Sequence, residues 1–299
     1  MPLEIRFNEA PLGHEIAGVD VRNLSEEEFR QIEEAYDTYG VIVFRGQKLT
    51  PDEQVAFSRR FGPLEQFVLQ RYNLKTHPEV FVVSNIIENG EPIGLGDAGQ
   101  YWHTDMWVVP VPPRGSMLYA LEVPEENGVA LGDTCFASTA AAYDALPADL
   151  RERIESLEAV YGASTYVEYR MAEKLAETGR TELTDAEKIG LIERAKNIPE
   201  RIRHPLVRRH PRTGRKCLYF SEGAISHIEG LSKEESNEIL DAIRAHLLRP
   251  EFLYRHKWQV GDIVMWDNTS CIHKAISDYA WPQRRRMHRT TLAHNPKAY

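Results

Sequence analysis

Two imidazoles and one carboxylate, meeting on one side of a metal ion, are the ligand set that holds Fe(II) and leaves other positions open for chemistry. The chain offers such a set. His103 and Asp105 lie two apart in Tyr101-Trp102-His103-Thr104-Asp105-Met106, so on an extended backbone they point to one face. His273 closes a distant run, Trp266-Asp267-Asn268-Thr269-Ser270-Cys271-Ile272-His273, and can reach them from any strand brought alongside. Short His-x-Asp or His-x-Glu patterns also arise by chance. His227-Ile228-Glu229 is one; it precedes a Gly-Leu-Ser turn and a helix start, and reads as surface or satisfied structure. Cys271, two before His273, is set aside as a ligand, because a soft thiolate suits zinc or clusters better than an open Fe(II) site.

A second chemistry-bearing stretch is Pro282-Gln283-Arg284-Arg285-Arg286-Met287-His288-Arg289-Thr290-Thr291. At a period of two, Arg285, Met287 and Arg289 share one face, and Arg284, Arg286 and His288 the other. Burying the first face buries two guanidinium groups, which is costly unless anions meet them. Guanidinium matches a carboxylate bidentately, so a buried version of this strand asks for a dianion or two carboxylates. An edge strand with its arginines in water fits the same letters, and spacing leaves both readings open.

The elements that must position these groups are partly announced by local signals. Capping boxes start helices at Ser25-x-x-Glu28, at Thr50-x-x-Glu53 with Pro51 in the first turn, at Thr184-x-x-Glu187 and at Ser232-x-x-Glu235. Val41 to Phe44 is a short apolar run suited to a buried strand, and Val80 to Ser84 and Gly115 to Ala120 read similarly. Tyr254 to Val260, the turn Gly261-Asp262 and Ile263 to Trp266 carry a hairpin signature, and Arg284 to Leu292 is a further strand. Ser138 to about Pro199 is charged and largely helical, broken at Pro147, an insertion of the kind that covers a site. Helices on many antiparallel strands predict a mainly β fold: a double-stranded β-helix (jelly roll) with helices on one sheet and a helical insertion over the site. With no repeats, low-complexity tracts or obvious linker, residues 1–299 read as one domain.

Composition narrows the function. A net charge of -9 with no long basic run gives little support to nucleic-acid binding. No stretch approaches the roughly 18 apolar residues of a membrane span, and the N-terminus lacks a signal-peptide layout. Three scattered cysteines, Cys135, Cys217 and Cys271, fit reduced thiols in the cytoplasm.

In family order, Val43-Phe44-Arg45-Gly46-Gln47, Phe57-Ser58-Arg59-Arg60-Phe61-Gly62-Pro63-Leu64, Trp102-His103-Thr104-Asp105, Gly132-Asp133-Thr134, Ala142-Tyr143-Asp144-Ala145-Leu146, His204-Pro205-Leu206-Val207, Trp266-Asp267-Asn268, His273 and Pro282 to Arg289 resemble the taurine/2,4-dichlorophenoxyacetate dioxygenase family. The resemblance spans nearly the whole chain. It implies Fe(II) held by His103, Asp105 and His273, with 2-oxoglutarate and O2 as co-substrates. It implies that Thr134 and Arg285 bind the keto acid, and that Arg289 lies near the keto-acid end and the substrate's anionic group. The implied reaction is oxidative decarboxylation of the keto acid to succinate and CO2, coupled to hydroxylation of an unactivated C–H bond. No side-chain acid or base is required for it. A homodimer or homotetramer is also implied.

The substrate end departs from the taurine enzyme's pattern. Where that enzyme grips a sulfonate, this chain aligns Phe67 and Gln70, and a large aromatic is replaced near Ala224. Met106 and Trp107 follow the iron motif. These suggest a roomier, more apolar pocket, with Arg289 able to hold an acid group. Phe67 and Trp107 read equally well as core packing. The expected substrate is a small organic acid, an aryloxyalkanoate, sulfonate or similar, with taurine itself not the best. The loop Glu125 to Leu131 is longer than the family usually has. Two other classes share the ligand set: a non-catalytic metal-binding jelly-roll sensor, and a zinc-dependent hydrolase. Retention of all three ligands, Thr134 and both arginines argues against the sensor. Zinc alone would leave the arginines without carboxylates.

Overall fold

A computed structural model of the protein describes residues 3–66 and 69–294. Its helices are α1 (Glu26–Tyr39), α2 (Pro51–Arg59), α3 (Thr139–Asp144), α4 (Ala148–Ile154), α5 (Ala163–Thr178), α6 (Asp185–Ala195) and α7 (Lys233–Leu247). All four expected capping boxes form, opening α1, α2, α6 and α7. At α1 the Glu28 amide donates to Ser25 Oγ (3.2 Å) while Glu28 Oε2 accepts from the Ser25 amide (2.8 Å), so each residue satisfies a donor the helix end leaves over.

The strands that position the site are β1 (Glu4–Arg6), β2 (His14–Ala17), β3 (Val41–Phe44), β4 (Leu64–Glu65), β5 (Asn73–Leu74), β6 (His77–Ser84), β7 (Gly115–Glu122), β8 (Thr134–Ser138), β9 (Glu158–Tyr161), β10 (Ile202–Pro205), β11 (Ile225–Ile228), β12 (Leu253–His256), β13 (Ile263–Asp267), β14 (Cys271–Ala275) and β15 (Arg286–Leu292). The large sheet runs β1-β2-β3-β13-β7-β15-β6-β5, with β4 also on β15. A small sheet, β12-β8-β14, faces it. A third, β10-β9-β11, belongs with the helical insertion.

Alternation along each strand divides the core. Ile42, Phe44, Met117 and Met265 turn to one face of the large sheet, where Ile32 and Tyr36 of α1 and Phe57 of α2 cover them. Val41, Val43, Leu118, Val264 and Met287 turn to the other, where Phe136 and Cys271 of the small sheet meet them. Each such side chain contributes roughly 1.5–3 kcal/mol by burial. Two sheets packed through alternate side chains, with helices on the outer face of one, make the jelly roll expected from the pattern.

The hairpin expectation fails. Tyr254 to Val260 and Ile263 to Trp266 do not pair with each other: β12 pairs with β8, and β13 with β3 and β7. The chain crosses between sheets because Trp258, fully buried, anchors the connection by donating Nε1–H to Thr134 Oγ1 (3.0 Å). Gly261, at a φ of 89°, then turns the chain and donates its amide to Ala120 O (2.8 Å). The insertion after Ser138 holds α3 to α6 as expected, plus the unanticipated β9. The long loop before Thr134 closes on itself as a two-strand ribbon, Glu125–Glu126 with Val129–Ala130, turning at Asn127 and Gly128 with φ of 51° and 79°.

Candidate active site

The two histidines meet because their backbones pair. His103 donates its amide to His273 O (3.0 Å) and His273 returns the bond to His103 O (2.8 Å), a single bridge joining the 103–105 segment to β14. Their rings lie 4.2 Å apart between centroids. Asp105 Oδ1 lies 3.8 Å from His103 Nε2 and 4.0 Å from His273 Nε2. The three ligand atoms fall within 4.8 Å of one another, the one such group found among the described residues. Cys271 is not part of it; its thiol is buried between the sheets and donates to Asp267 O at 3.1 Å. His227 and Glu229 stay out as well, His227 against the Ser226 hydroxyl and Glu229 paired with Arg201.

Neighbouring groups orient each ligand. His103 Nδ1–H donates to Tyr101 O (2.7 Å), which leaves the Nε2 lone pair toward Asp105. Asp105 Oδ2 accepts from Ser116 Oγ (2.9 Å) and Trp266 Nε1 (3.1 Å) and ion-pairs with Arg289 Nη2 (3.0 Å), so Oδ1 is the oxygen presented to the imidazoles. Burial pushes the Asp105 carboxyl up, but Arg289, the two histidines and the Ser116 hydroxyl outweigh it and hold the group below the usual carboxylate range. Burial pushes both imidazoles down. At neutral pH the set is therefore one carboxylate and two neutral imidazoles, the forms that bind a divalent ion. Gly99 runs across the site at a φ of 68°, and a Cβ there would stand 2.8 Å from His103 Cε1.

Two cavities share the wall made by Ala98, Gly99, His103 and Arg289. The smaller, about 60 Å³, is bounded by Thr134, His273, Arg285 and Arg289. Arg285 is almost wholly buried, and its Nε has no hydrogen-bond partner. The larger, about 190 Å³, is walled mainly by apolar groups, among them Leu69, Phe81, Leu95, Met106, Trp107 and Ile198, and holds Arg170 and Arg194 as well.

The family model described as taurine catabolism dioxygenase TauD, TfdA family matches residues 6–291. The chain belongs to this family. It is 36% identical over 288 residues to the alpha-ketoglutarate-dependent 2,4-dichlorophenoxyacetate dioxygenase of Cupriavidus pinatubonensis, covering 92% of each chain. It is 35% identical to pentalenolactone F synthase of Streptomyces arenae, over 95% of this chain and 92% of that one. Among solved structures it is similar to AAD-2 in complex with Mn(II) and N-oxalylglycine, at a TM-score of 0.74 and 31% identity, covering 99% of this chain and 98% of that one.

The protein is thus a non-haem iron oxidoreductase of the 2-oxoglutarate-dependent dioxygenase class, using Fe(II), 2-oxoglutarate and O2. Its residues fit those groups. The His103–Asp105–His273 cluster is a facial donor set, and the orphaned Arg285 Nε in a small cavity beside it is what a buried dicarboxylate would satisfy.

Of the other residues singled out by sequence, Met106 and Trp107 line the larger cavity, Met106 in the left-handed region at a φ of 55° directly after the ligand Asp105. Trp107 also packs in the core beneath, stacked 5.7 Å from Tyr161. Two expectations are corrected by position. Gln70 opens an exposed turn and borders a separate surface depression with Arg71 and Glu193. Ala224 is fully buried in the core and does not reach the cavity wall. Phe67 lies outside the described residues. Sequence reasoning missed Ser116, Tyr101, Tyr166, Arg170 and Arg194, which nothing in their local spacing marks.

Proposed function

We propose that this dioxygenase hydroxylates a small, largely apolar organic acid, an aryloxyalkanoate, sulfonate or similar, and that taurine is not its best substrate. In this reading His103, Asp105 and His273 hold the iron, Thr134 and Arg285 hold the keto acid in the smaller cavity, and the substrate occupies the larger one. Arg289 borders both cavities and steadies Asp105. When bound, the iron with its keto acid and O2 supplies the oxidation of a C–H bond. The protein's own residues bind, orient and exclude water, and no side-chain acid or base is assigned.

The observation that carries the reading is the pair of cavities meeting at the metal ligands: a small one holding the buried, partly unsatisfied Arg285, and a larger one with mainly apolar walls and a few cations. The 2,4-dichlorophenoxyacetate relative supports an aryl acid. Nothing favours a sensor or a zinc hydrolase, since neither gives the buried Arg285 a carboxylate. A homodimer or homotetramer in the cytoplasm is part of the proposal, supported by the free thiols of Cys135, Cys217 and Cys271 and, for the assembly, by the family resemblance. Among the described residues no helix is long and apolar enough to cross a membrane.

The test is anaerobic addition of Fe(II) and 2-oxoglutarate to metal-free protein, followed by a panel of organic acids read by succinate release. A visible charge-transfer band and succinate release faster with an aryl or alkyl acid than with taurine are expected. Absence of the band with iron bound, or taurine turning over fastest, sinks the proposal.

A further inference from the structure

Helix α5 carries Glu168, Arg170, Glu173, Lys174 and Glu177, the composition of a solvated cover, yet Arg170 is buried, and Ala163 is the one other buried residue on the helix. Arg170 is among the residues that wall the larger cavity. It lies 5.3 Å from the ring centroid of Tyr101, whose ring is in turn 4.7 Å from that of His103. One aromatic ring therefore separates this cation from an iron ligand.

A buried guanidinium costs several kcal/mol unless its charge and its five N–H donors are met. Glu173, one turn along the same helix, meets the charge: its Oε2 accepts from Arg170 Nη1 at 2.6 Å. Among the described residues Arg170 makes no further hydrogen bond, and its remaining donors are not sealed in by protein. The other cations of the cavity are engaged differently. Arg289 pairs with Asp105 (3.0 Å), and Arg194 pairs with Asp97 (2.6 Å) while its side chain stays 35% exposed. Gln70, which the sequence had aligned with a sulfonate grip, is turned away from the cavity.

We propose that Arg170 is a specificity-determining residue that takes the acid group of the substrate, a carboxylate, sulfate or sulfonate, and so fixes the apolar body against Met106, Trp107 and Ile198. This rests on the reading of the larger cavity as the substrate site. Glu173 holds the guanidinium from one side, and its free edge offers two parallel N–H bonds to one anion. An acid is selected over its neutral analogue because either one, on filling the cavity, displaces water from that edge, and only the acid gives its donors a matching acceptor.

The experiment uses protein loaded anaerobically with Fe(II) and 2-oxoglutarate, and measures binding by calorimetry. The probes are 2,4-dichlorophenoxyacetate against its primary amide, and hexyl sulfate against hexanol, which separate carboxylate from sulfate as the preferred anion. Wild type is expected to bind at least one acid about tenfold more tightly than its neutral analogue. Arg170→Gln is expected to weaken that acid about thirty- to hundredfold and the neutral analogue less than about threefold. No acid preference in wild type overturns the proposal, as does an equal loss for acid and neutral analogue in a variant whose charge-transfer band matches wild type. If Arg170→Gln does not load, Arg170→Lys decides: it keeps the charge without the fork, a selective loss of about fivefold for the acid is expected, and no loss overturns the proposal. A wild-type protein that binds iron without giving the band sinks the oxygenase reading instead, and the comparison of acid with neutral analogue still reports on Arg170.

Discussion

The Ser116→Ala substitution isolates one support of the iron site. Ser116 is fully buried on β7, and its hydroxyl donates to Asp105 Oδ2 at 2.9 Å. The change removes a single oxygen from a strand position, so packing is nearly untouched. A hydrogen bond to a charged group is worth about 1.5–3 kcal/mol. Only part of that reaches metal affinity, because the bond exists with or without the ion; what is lost is the restraint that keeps Oδ1 facing the imidazoles. Trp266 Nε1 (3.1 Å) and Arg289 Nη2 (3.0 Å) still hold Oδ2, so the loss belongs at the low end of the range for such supporting contacts, about tenfold in Kd or about 1.4 kcal/mol. Adding Trp266→Phe leaves Arg289 as the last anchor on Oδ2, and the double variant should lose more than the two single losses combined. The assay is anaerobic titration of Fe(II) into metal-free protein by calorimetry, with Mn(II) as an air-stable check. An unchanged Kd in both Ser116→Ala and the double variant would refute the assignment of Oδ1 as the ligand atom and Oδ2 as its anchor.

Other outcomes follow from the same geometry. Arg285→Gln should raise the KM for 2-oxoglutarate about ten- to hundredfold while moving that of the prime substrate less than about threefold, since the lost partner faces the smaller cavity; equal rises would remove Arg285 from its assigned role. His103→Ala and Asp105→Ala should each abolish Fe(II)-dependent succinate release, and retained turnover would refute the ligand set. Burial pushes His204 and His288 from 6.5 down to about 4, so the unfolded chain binds more protons than the folded one in that interval. Their contribution is whole above pH 6.5 and is lost as pH falls towards 4, by up to about 1.4 kcal/mol per pH unit for each histidine. Urea unfolding from pH 7 to 4 should show this slope, and His288→Leu, which removes one proton site, should flatten it by up to that amount; an identical slope would show that His288 is not the buried neutral base described.

What the sequence disclosed and what it hid divide along a physical line. Helix starts were legible because a capping box is completed within four residues, and Ser25, Thr50, Thr184 and Ser232 each satisfy their own helix end. The arginine face at the start of β15 was legible as a choice, because alternation is local: Arg285, just before the strand, and Arg289 within it were bound to share a side, and only the small sheet packed over that side decides that it is buried. The false hairpin between β12 and β13 has the opposite cause. Its turn letters are sound, but which sheet each arm joins depends on Trp258 reaching Thr134, a contact between residues far apart in sequence. Gln70 and Ala224 were misplaced for the same reason, since the facing of a loop residue is set by what packs behind it. Arg170 is the sharpest case. Between Glu168 and Glu173 it looks like any charge on a solvated helix, and its burial arises because α5 lies against Tyr101, the residue whose carbonyl orients an iron ligand. A cation that costs energy to bury and is only partly answered by its own helix makes sense where a ligand supplies the rest, which is why this position, and not another charge on the same helix, should decide what the enzyme accepts.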